Sequence, residues 1–246
     1  MADNKIYRYV GITDTHGKEV NKQVWNNVIL PFIKDYKPDG VIHFGDVGDF
    51  DGISHWNRNK KLKIEGKRIK SDIKDACKIL TDINENTPKD CKKVVILGNH
   101  DGWVKAYVEE HPELDGVFDL EKDFAELGWK VIPENGIYRL GKLLCFHGMY
   151  TSEFHTKKHL TAFGKNCMYG HMHDHQVYTL SQYEGEHMAQ SIGCLCNKGA
   201  EYLKGKPTRW VHGFALINYQ PSTNLYWASF QKIVCGTYVY NGKKYK

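Results

Sequence analysis

The chain has 246 residues, 41% hydrophobic and 26% charged, with a formal net charge of +5. That balance belongs to a soluble globular protein with room for a sizeable core, and it excludes a disordered or fibrous chain. No run of about 18 apolar residues exists and Met1 to Lys5 lack the apolar core of a signal peptide, so a cytoplasmic protein with no membrane partner is expected.

The first half alternates strand and helix. Ile6 to Ile12 reads as a strand ending in Thr13-Asp14-Thr15-His16-Gly17, and Gln23 to Asp35 carries Val24, Val28, Ile29, Phe32 and Ile33 at helical spacing. The turn Lys37-Pro38-Asp39-Gly40 leads to a second strand, Val41 to Phe44, closed by Gly45-Asp46-Val47-Gly48-Asp49. A helix is expected over Ile69 to Ile83, stopped by Thr87-Pro88. The third strand, Val94 to Leu97, closes on Gly98-Asn99-His100-Asp101. Ala106 to Glu113 and Asp119 to Leu127 read as helices, and Trp129 to Ile132 as a short strand.

The second half is β-rich. Strand-like runs cover Ile137 to Leu140, Leu143 to His147, Cys167 to Gly170, Gln176 to Leu180, Met188 to Ile192, Val211 to Asn218 and Leu225 to Phe230, with a helix only around Phe154 to Phe163. An αβ half followed by a β half predicts an α/β fold of two sheets packed face to face with helices outside. With no repeat or linker, a single domain over 1–246 is expected, its core at about 5–235 and a short basic tail after it.

Seven cysteines form no Cys-x-x-Cys pair and read as small buried hydrophobes; Cys194 and Cys196 lack the further soft ligands of a structural zinc. The charge is uneven. Between His55 and Lys70 stand seven basic residues against the single Glu65, which accounts for the whole surplus of the chain. Such a segment is either a solvated loop or an electropositive flank that draws in a phosphate-bearing substrate.

Chemistry gathers at the strand ends. Asp14 and His16 sit two apart just past one strand, Asp46 closes the next, Asn99 the third, His147 follows Leu143 to Phe146, and His171 and His173 straddle Met172. Asp46 has two carboxylate oxygens and can serve two cations, while His100, beside Asn99, can donate a proton. Three oxygen donors and four imidazoles suit Mn, Fe, Zn, Co or Ni better than Ca or Mg. Any one of these clusters alone is more often a turn or a capped helix; five in order on strand ends are not.

The ordered set Asp14-Thr15-His16, Gly45-Asp46-Val47-Gly48-Asp49, Gly98-Asn99-His100-Asp101, His147-Gly148 and Gly170-His171-Met172-His173 resembles the calcineurin-like metallophosphoesterase family, over residues 6 to about 175. The resemblance implies a four-layer α/β/β/α sandwich and two divalent metal ions, manganese first among them. One metal would lie on Asp14, His16, Asp46 and His173, and the second on Asp46, Asn99, His147 and His171. His100 would be the catalytic histidine, oriented by Asp101, and a metal-bridging hydroxide would attack phosphorus in line.

Other residues near the motifs have weaker claims. His43 reads as a core imidazole, whereas His159, His175 and Arg58 are candidates to touch substrate. Phe50-Asp51 after Asp49 lacks the arginine of the protein phosphatase branch, and only about 70 residues follow His173, too few for the capping domain of the exonuclease branch. Asn197, Lys198, Tyr202, Lys204, Lys206, Arg209 and Trp210 look similar to a segment of small phage or prophage members, and they mix basic and aromatic character as Trp56 to Arg68 does.

The function expected is hydrolysis of a phosphate ester of a nucleotide or nucleic acid, with a nucleotidase placed ahead of a nuclease or a small-molecule phosphodiesterase. A non-catalytic scaffold of the same fold is the distant alternative. Oligomeric state is not legible in the sequence.

Overall fold

A computed structural model describes residues 4–183, 185–199 and 207–246. Tyr202, Lys204 and Lys206 of the sequence analysis lie outside the described residues. Two mixed sheets dominate. The first has six strands in the order β11-β10-β1-β2-β3-β4: Leu225–Lys232, Gly213–Gln220, Tyr7–Ile12, Gly40–His43, Lys92–Ile96 and Lys130–Ile132. β1 to β4 run parallel and β10 and β11 are antiparallel. The second has five strands in the order β5-β6-β7-β9-β8: Tyr138–Leu140, Leu143–Phe146, Cys167–Tyr169, Gly185–Ser191 and Val177–Gln182.

Side-chain alternation along each strand assembles the layers. Tyr9, Ile42, Phe44, Val94 and Ile96 face one way and meet Leu143, Cys145 and Met168 of the other sheet. Their neighbours Val10, Ile12, Val41, Val95 and Leu97 face outward, onto helices that contribute Val28, Ile29, Phe32, Ile79 and Leu80. On the far side, Leu144, Phe146, Cys167 and Tyr169 bury Leu160 of the helix His155–Phe163. The result is the expected α/β/β/α sandwich, and the parallel strands of each sheet deliver their carboxyl ends to one edge.

The helices depart from expectation in instructive places. Residues 22–36 form one helix that passes through a π turn at Trp25–Ile29 immediately before Pro31, where the ring removes an N–H that a regular turn would use. The helix expected at Ala106 in fact spans Asn99–Glu110. Its first turn is polar and carries no apolar period, but the Asp101 carboxylate, three residues past the cap Gly98, accepts the Gly98 N–H at 3.0 Å and starts it.

The expected basic tail is a hairpin, β12 (Tyr238–Tyr240) and β13 (Lys243–Tyr245). Asn241 and Gly242 at its tip both have positive φ, the backbone that a two-residue Asn-Gly turn requires. Tyr238 and Tyr245 are buried edge-on against Phe32, and the Tyr245 hydroxyl donates to Asp35 at 2.9 Å. Packed structure therefore continues past residue 235.

Candidate metal centre

The sheet edge brings all seven motif residues into one neighbourhood. Single ligand atoms of Asp14, His16, Asp46 and His173 lie within 4.8 Å of one another, and so do those of Asp46, His147 and His171. Asp46 belongs to both sets. Its Oδ2 lies 3.2 Å from His147 Nε2 and 3.8 Å from His16 Nε2, while Oδ1 accepts the His100 N–H at 2.9 Å. Asn99 Oδ1 adjoins the second set, 3.1 Å from His147 Nε2.

Backbone strain is concentrated here. Asp14, His16, Asp46, His171 and His173 all have φ between 49° and 69°. That left-handed region costs a non-glycine residue about 1–3 kcal/mol and persists where surrounding structure enforces it, most often at functional sites. Close approach adds a second constraint. A side chain at Gly98 would collide with the Asp46 carboxylate, and one at Gly45 would meet His147 Nδ1 at 2.5 Å.

The donor chemistry fits cations. A carbonyl oxygen only accepts, so the 2.7 Å contact of His147 Nδ1 with Phe44 O fixes the proton on Nδ1. The Nε2 of a neutral His147 is then a lone pair aimed at the oxygens of Asn99 and Asp46. Acceptors converging on acceptors call for a positive charge between them: a second proton on His147, in keeping with its raised pKa, supplies it without a metal, and a divalent ion held by imidazole and carboxylate would take that proton's place. His16 and His173 repeat the pattern, with their Nε2 atoms 3.2 Å apart and Asp14 Oδ1 3.1 Å from that of His173.

Electrostatics follow from the packing. Burial pushes the Asp14 carboxyl up, but His173 and His147 overturn it and hold it at about 2. Burial likewise pushes His147 down, and Asp46 reverses it to about 10. His16 is carried against burial to about 9 by Asp49, Asp46 and Asp14. His171 follows burial instead, down to about 4.

His100 is oriented differently from expectation. Its Nδ1–H donates to the Asp49 carbonyl at 2.7 Å, and the Asp49 carboxylate lies 3.7 Å away, close also to His16 Nδ1 at 3.4 Å. Asp101 does not reach His100. Its buried carboxylate accepts three backbone N–H groups, of Val47, Gly48 and Gly98, and so ties the second motif to the third. Burial and Asp46 push it up to about 7. The cause is position: a carboxylate on the first helical turn is captured by exposed backbone donors before it can serve a neighbouring ring.

The three candidates for substrate contact are also engaged elsewhere. His159 is fully buried, with Nδ1 donating to His155 O and Nε2 accepting from Met149 N at 3.0 Å and Tyr150 N at 3.3 Å. It props the loop after His147. His175 stacks on Phe230 with ring centres 3.9 Å apart, and Arg58 makes a double contact with Glu110 at 2.9 and 3.0 Å. His43 is the core imidazole expected, bonded to Thr15 Oγ1.

Several contributors were not singled out from the sequence. Asp49 stands out in the sequence only as the end of its motif, and Cys196, which has no further soft ligands near it in sequence, places its Sγ 3.8 Å from His173 Nδ1. Thr13 Oγ1 donates to Asp14 Oδ2 at 2.5 Å, and Glu134 and Asn135 line a cavity of about 180 Å³ together with Asn99, His147, Met149 and His171. Thr13 and Asp49 flank motif residues, which is the one sequence signal that could have found them.

A paired His/Asp centre at the strand ends of an α/β/β/α sandwich defines the class: a hydrolase fold with clusters able to hold divalent metals. The model of the calcineurin-like phosphoesterase family matches residues 7–193. The chain belongs to that family and is a hydrolase acting on phosphoric ester bonds. It is 30% identical over 233 residues to the Gene 54 protein of Mycobacterium phage L5, covering 85% of this chain and 88% of that protein. The Gene 54 protein of Mycobacterium phage D29 is 28% identical over 231 residues with the same coverage. Among solved structures, a conserved uncharacterized protein described as a predicted phosphoesterase, from Streptococcus pneumoniae TIGR4, aligns at a TM-score of 0.40 and 14% identity over 98% of this chain and 96% of that one. No helix among the described residues is long and apolar enough to cross a membrane.

Proposed function

We propose that the centre hydrolyses a phosphate ester of a nucleotide or nucleic acid, with nucleoside monophosphates as the first substrates to test, in one domain that spans the chain. The observation that carries the reading is the convergence of two acceptor sets on Asp46. Asp14, His16, Asp46 and His173 would hold one divalent cation, and Asp46, Asn99, His147 and His171 the other, with manganese the first metal to try. When bound, such cations supply Lewis acidity toward phosphoryl oxygens and make water a competent nucleophile near neutral pH.

The chain's own residues do the rest. Thr13 and the His171 N–H hold the Asp14 carboxylate, and the Phe44 carbonyl holds the His147 ring, so both are presented in one orientation. Because the Nδ1–H of His100 is committed to the Asp49 carbonyl, Nε2 is the nitrogen left to face the leaving oxygen, and it has a proton to give only when the ring is charged. Burial lowers the pKa of that ring, and the carboxylates of Asp46 and Asp49 act against it in favour of the charged form that donates.

Two features support a nucleotide-class substrate. The Trp103 ring lies 3.9 Å from that of His100 and offers an aromatic face beside the acid. The cavity of about 180 Å³ on the opposite flank is smaller than the roughly 300–1,000 Å³ of pockets for drug-sized ligands, and its Glu134 and Asn135 suit the hydroxyls of one sugar.

The test is hydrolysis by Mn-reconstituted protein of deoxynucleoside monophosphates, cyclic dinucleotides, bis-p-nitrophenyl phosphate and single- and double-stranded DNA, beside His100→Ala. The variant is expected to lose roughly 10²–10⁴-fold in kcat with its metal content intact. Release of phosphate from monophosphates alone marks a nucleotidase, and cleavage of diesters or polymer marks a phosphodiesterase or nuclease. Inert protein carrying both metals would replace the reading with the scaffold.

A further inference from the structure

A ladder of rings leads from the centre to solvent. His16 meets His100 edge-on at 4.6 Å, His100 lies on Trp103 at 3.9 Å, Trp103 meets His55 edge-on at 6.3 Å, and His55 lies against Trp56 at 4.3 Å. The burial falls along it, from 5% exposed at His16 to 68% at Trp56. Tryptophan is ordinarily well buried, so an indole held outward at the end of a series of edge-on and tilted ring contacts suits a partner with a flat face.

The charge around it is net positive. Arg58 is neutralised by Glu110, and Lys63 and Lys67 by Asp51. Lys60, Lys61, Arg68 and Lys70 have no carboxylate partner among the described residues, and Lys60 to Lys63, on one short helical turn, border open space at the surface. Leu62 among them is 87% exposed. Aromatic faces beside cations free of carboxylate partners suit a single strand of nucleic acid, because its bases stack and its phosphates track positive side chains. A duplex buries its base faces and cannot use the rings.

We propose that Trp103, His55 and Trp56, with Lys60 and Lys61, form a platform for the bases and backbone of single-stranded nucleic acid on the leaving-group side of the scissile phosphate. The placement rests on the phosphoesterase reading above, since the ladder passes outward from His100, the proton donor to the leaving oxygen, through Trp103. It extends the proposed nucleotide esters to those whose leaving group carries further nucleotides.

The experiment is fluorescence anisotropy of a fluorescein-labelled oligothymidylate titrated with the full chain in EDTA, beside a labelled duplex. Hydrolysis is absent there, so the result stands whether or not the enzyme reading survives its own panel. Trp56→Ala is expected to weaken single-strand binding by on the order of 10-fold, with Trp56→Phe restoring most of it. Lys61→Ala should lower the slope of log affinity against log salt by about 0.7. Both side chains are exposed, so neither change hollows the core, and thermal melts confirm folding. Unchanged affinity in Trp56→Ala, or duplex bound as tightly as the single strand, would overturn the platform.

Discussion

Two groups of buried histidines and carboxylates lie a few residues apart in this chain and behave oppositely. Around Asp174 every polar atom is answered. His155 reaches Tyr169 at 2.7 Å and Asp174 at 3.1 Å, Asp174 accepts from Ser191 and Gln176 at 2.9 Å each, and His159 spends both nitrogens on backbone. Around Asp46 the facing atoms of His147, Asn99 and the carboxylate are satisfied only by an extra proton on His147 or by a cation in its place, on a backbone bent into the left-handed region. Burial of ionisable groups is therefore common to both. What separates scaffold from chemistry is whether their hydrogen-bonding capacity is used up.

The strongest way to break that contrast is to disable the shared carboxylate. Asp46→Asn is expected to lower turnover by at least the 10²–10⁴-fold that loss of a positioned acid costs, and to lower metal content measured by elemental analysis. Full metal occupancy in that variant would show that Asp46 is not common to two sites.

Asp174→Ala probes the other side. Removing one member of a buried pair costs about 3–5 kcal/mol, hence on the order of 6–20 °C in Tm, while kcat per folded molecule and metal content stay near those of the parent. Because Asp174 adjoins His173, lost metal here would mean that the two groups act as one.

Removing metal with EDTA should lower Tm by on the order of 5–10 °C relative to protein with metal at about 100 times its dissociation constant, a linkage of about 2.7 kcal/mol. Asp174→Ala protein should show the same difference. Equal melting with and without metal would count against a filled centre.

The smallest expected effect is acid sensitivity. Burial holds His159 at about 4 and His43 at about 3, below the ordinary 6.5. As pH falls below about 6.5 the unfolded chain takes up these protons first, so stability is complete above that value and declines until each folded pKa is passed. For His159 the loss between about pH 6.5 and about pH 5 is on the order of 1–2 kcal/mol in the urea midpoint, and His159→Gln should flatten its share.

Much of the centre was legible because parallel strands impose it. A strand that closes on Gly-Asp or Gly-Asn-His must present those residues at the carboxyl edge, and strand order then unites Asp14 with His173 across 159 positions of chain. The hairpin was legible in principle, since Asn241-Gly242 between tyrosines is a strong turn signal, but the lysines around it suggested a solvated tail.

The sequence by itself determined which residue types arrive at the sheet edge, because side-chain period and chain direction are properties of local pattern. Only the tertiary structure decided which lone pair meets which hydrogen. Asp101 rather than Asp49 was the expected partner of His100, yet helix geometry turns the Asp101 carboxylate onto three amides and leaves Asp49 beside the ring. His159, two helical positions from the exposed Thr161, is buried because Tyr169 and Phe146 lie over it at 4.0 and 5.4 Å. Cys196 reaches His173 only because the chain folds back beside it. Each of these contacts joins residues whose approach depends on rotamers and turns far apart in the chain, and no local period encodes them.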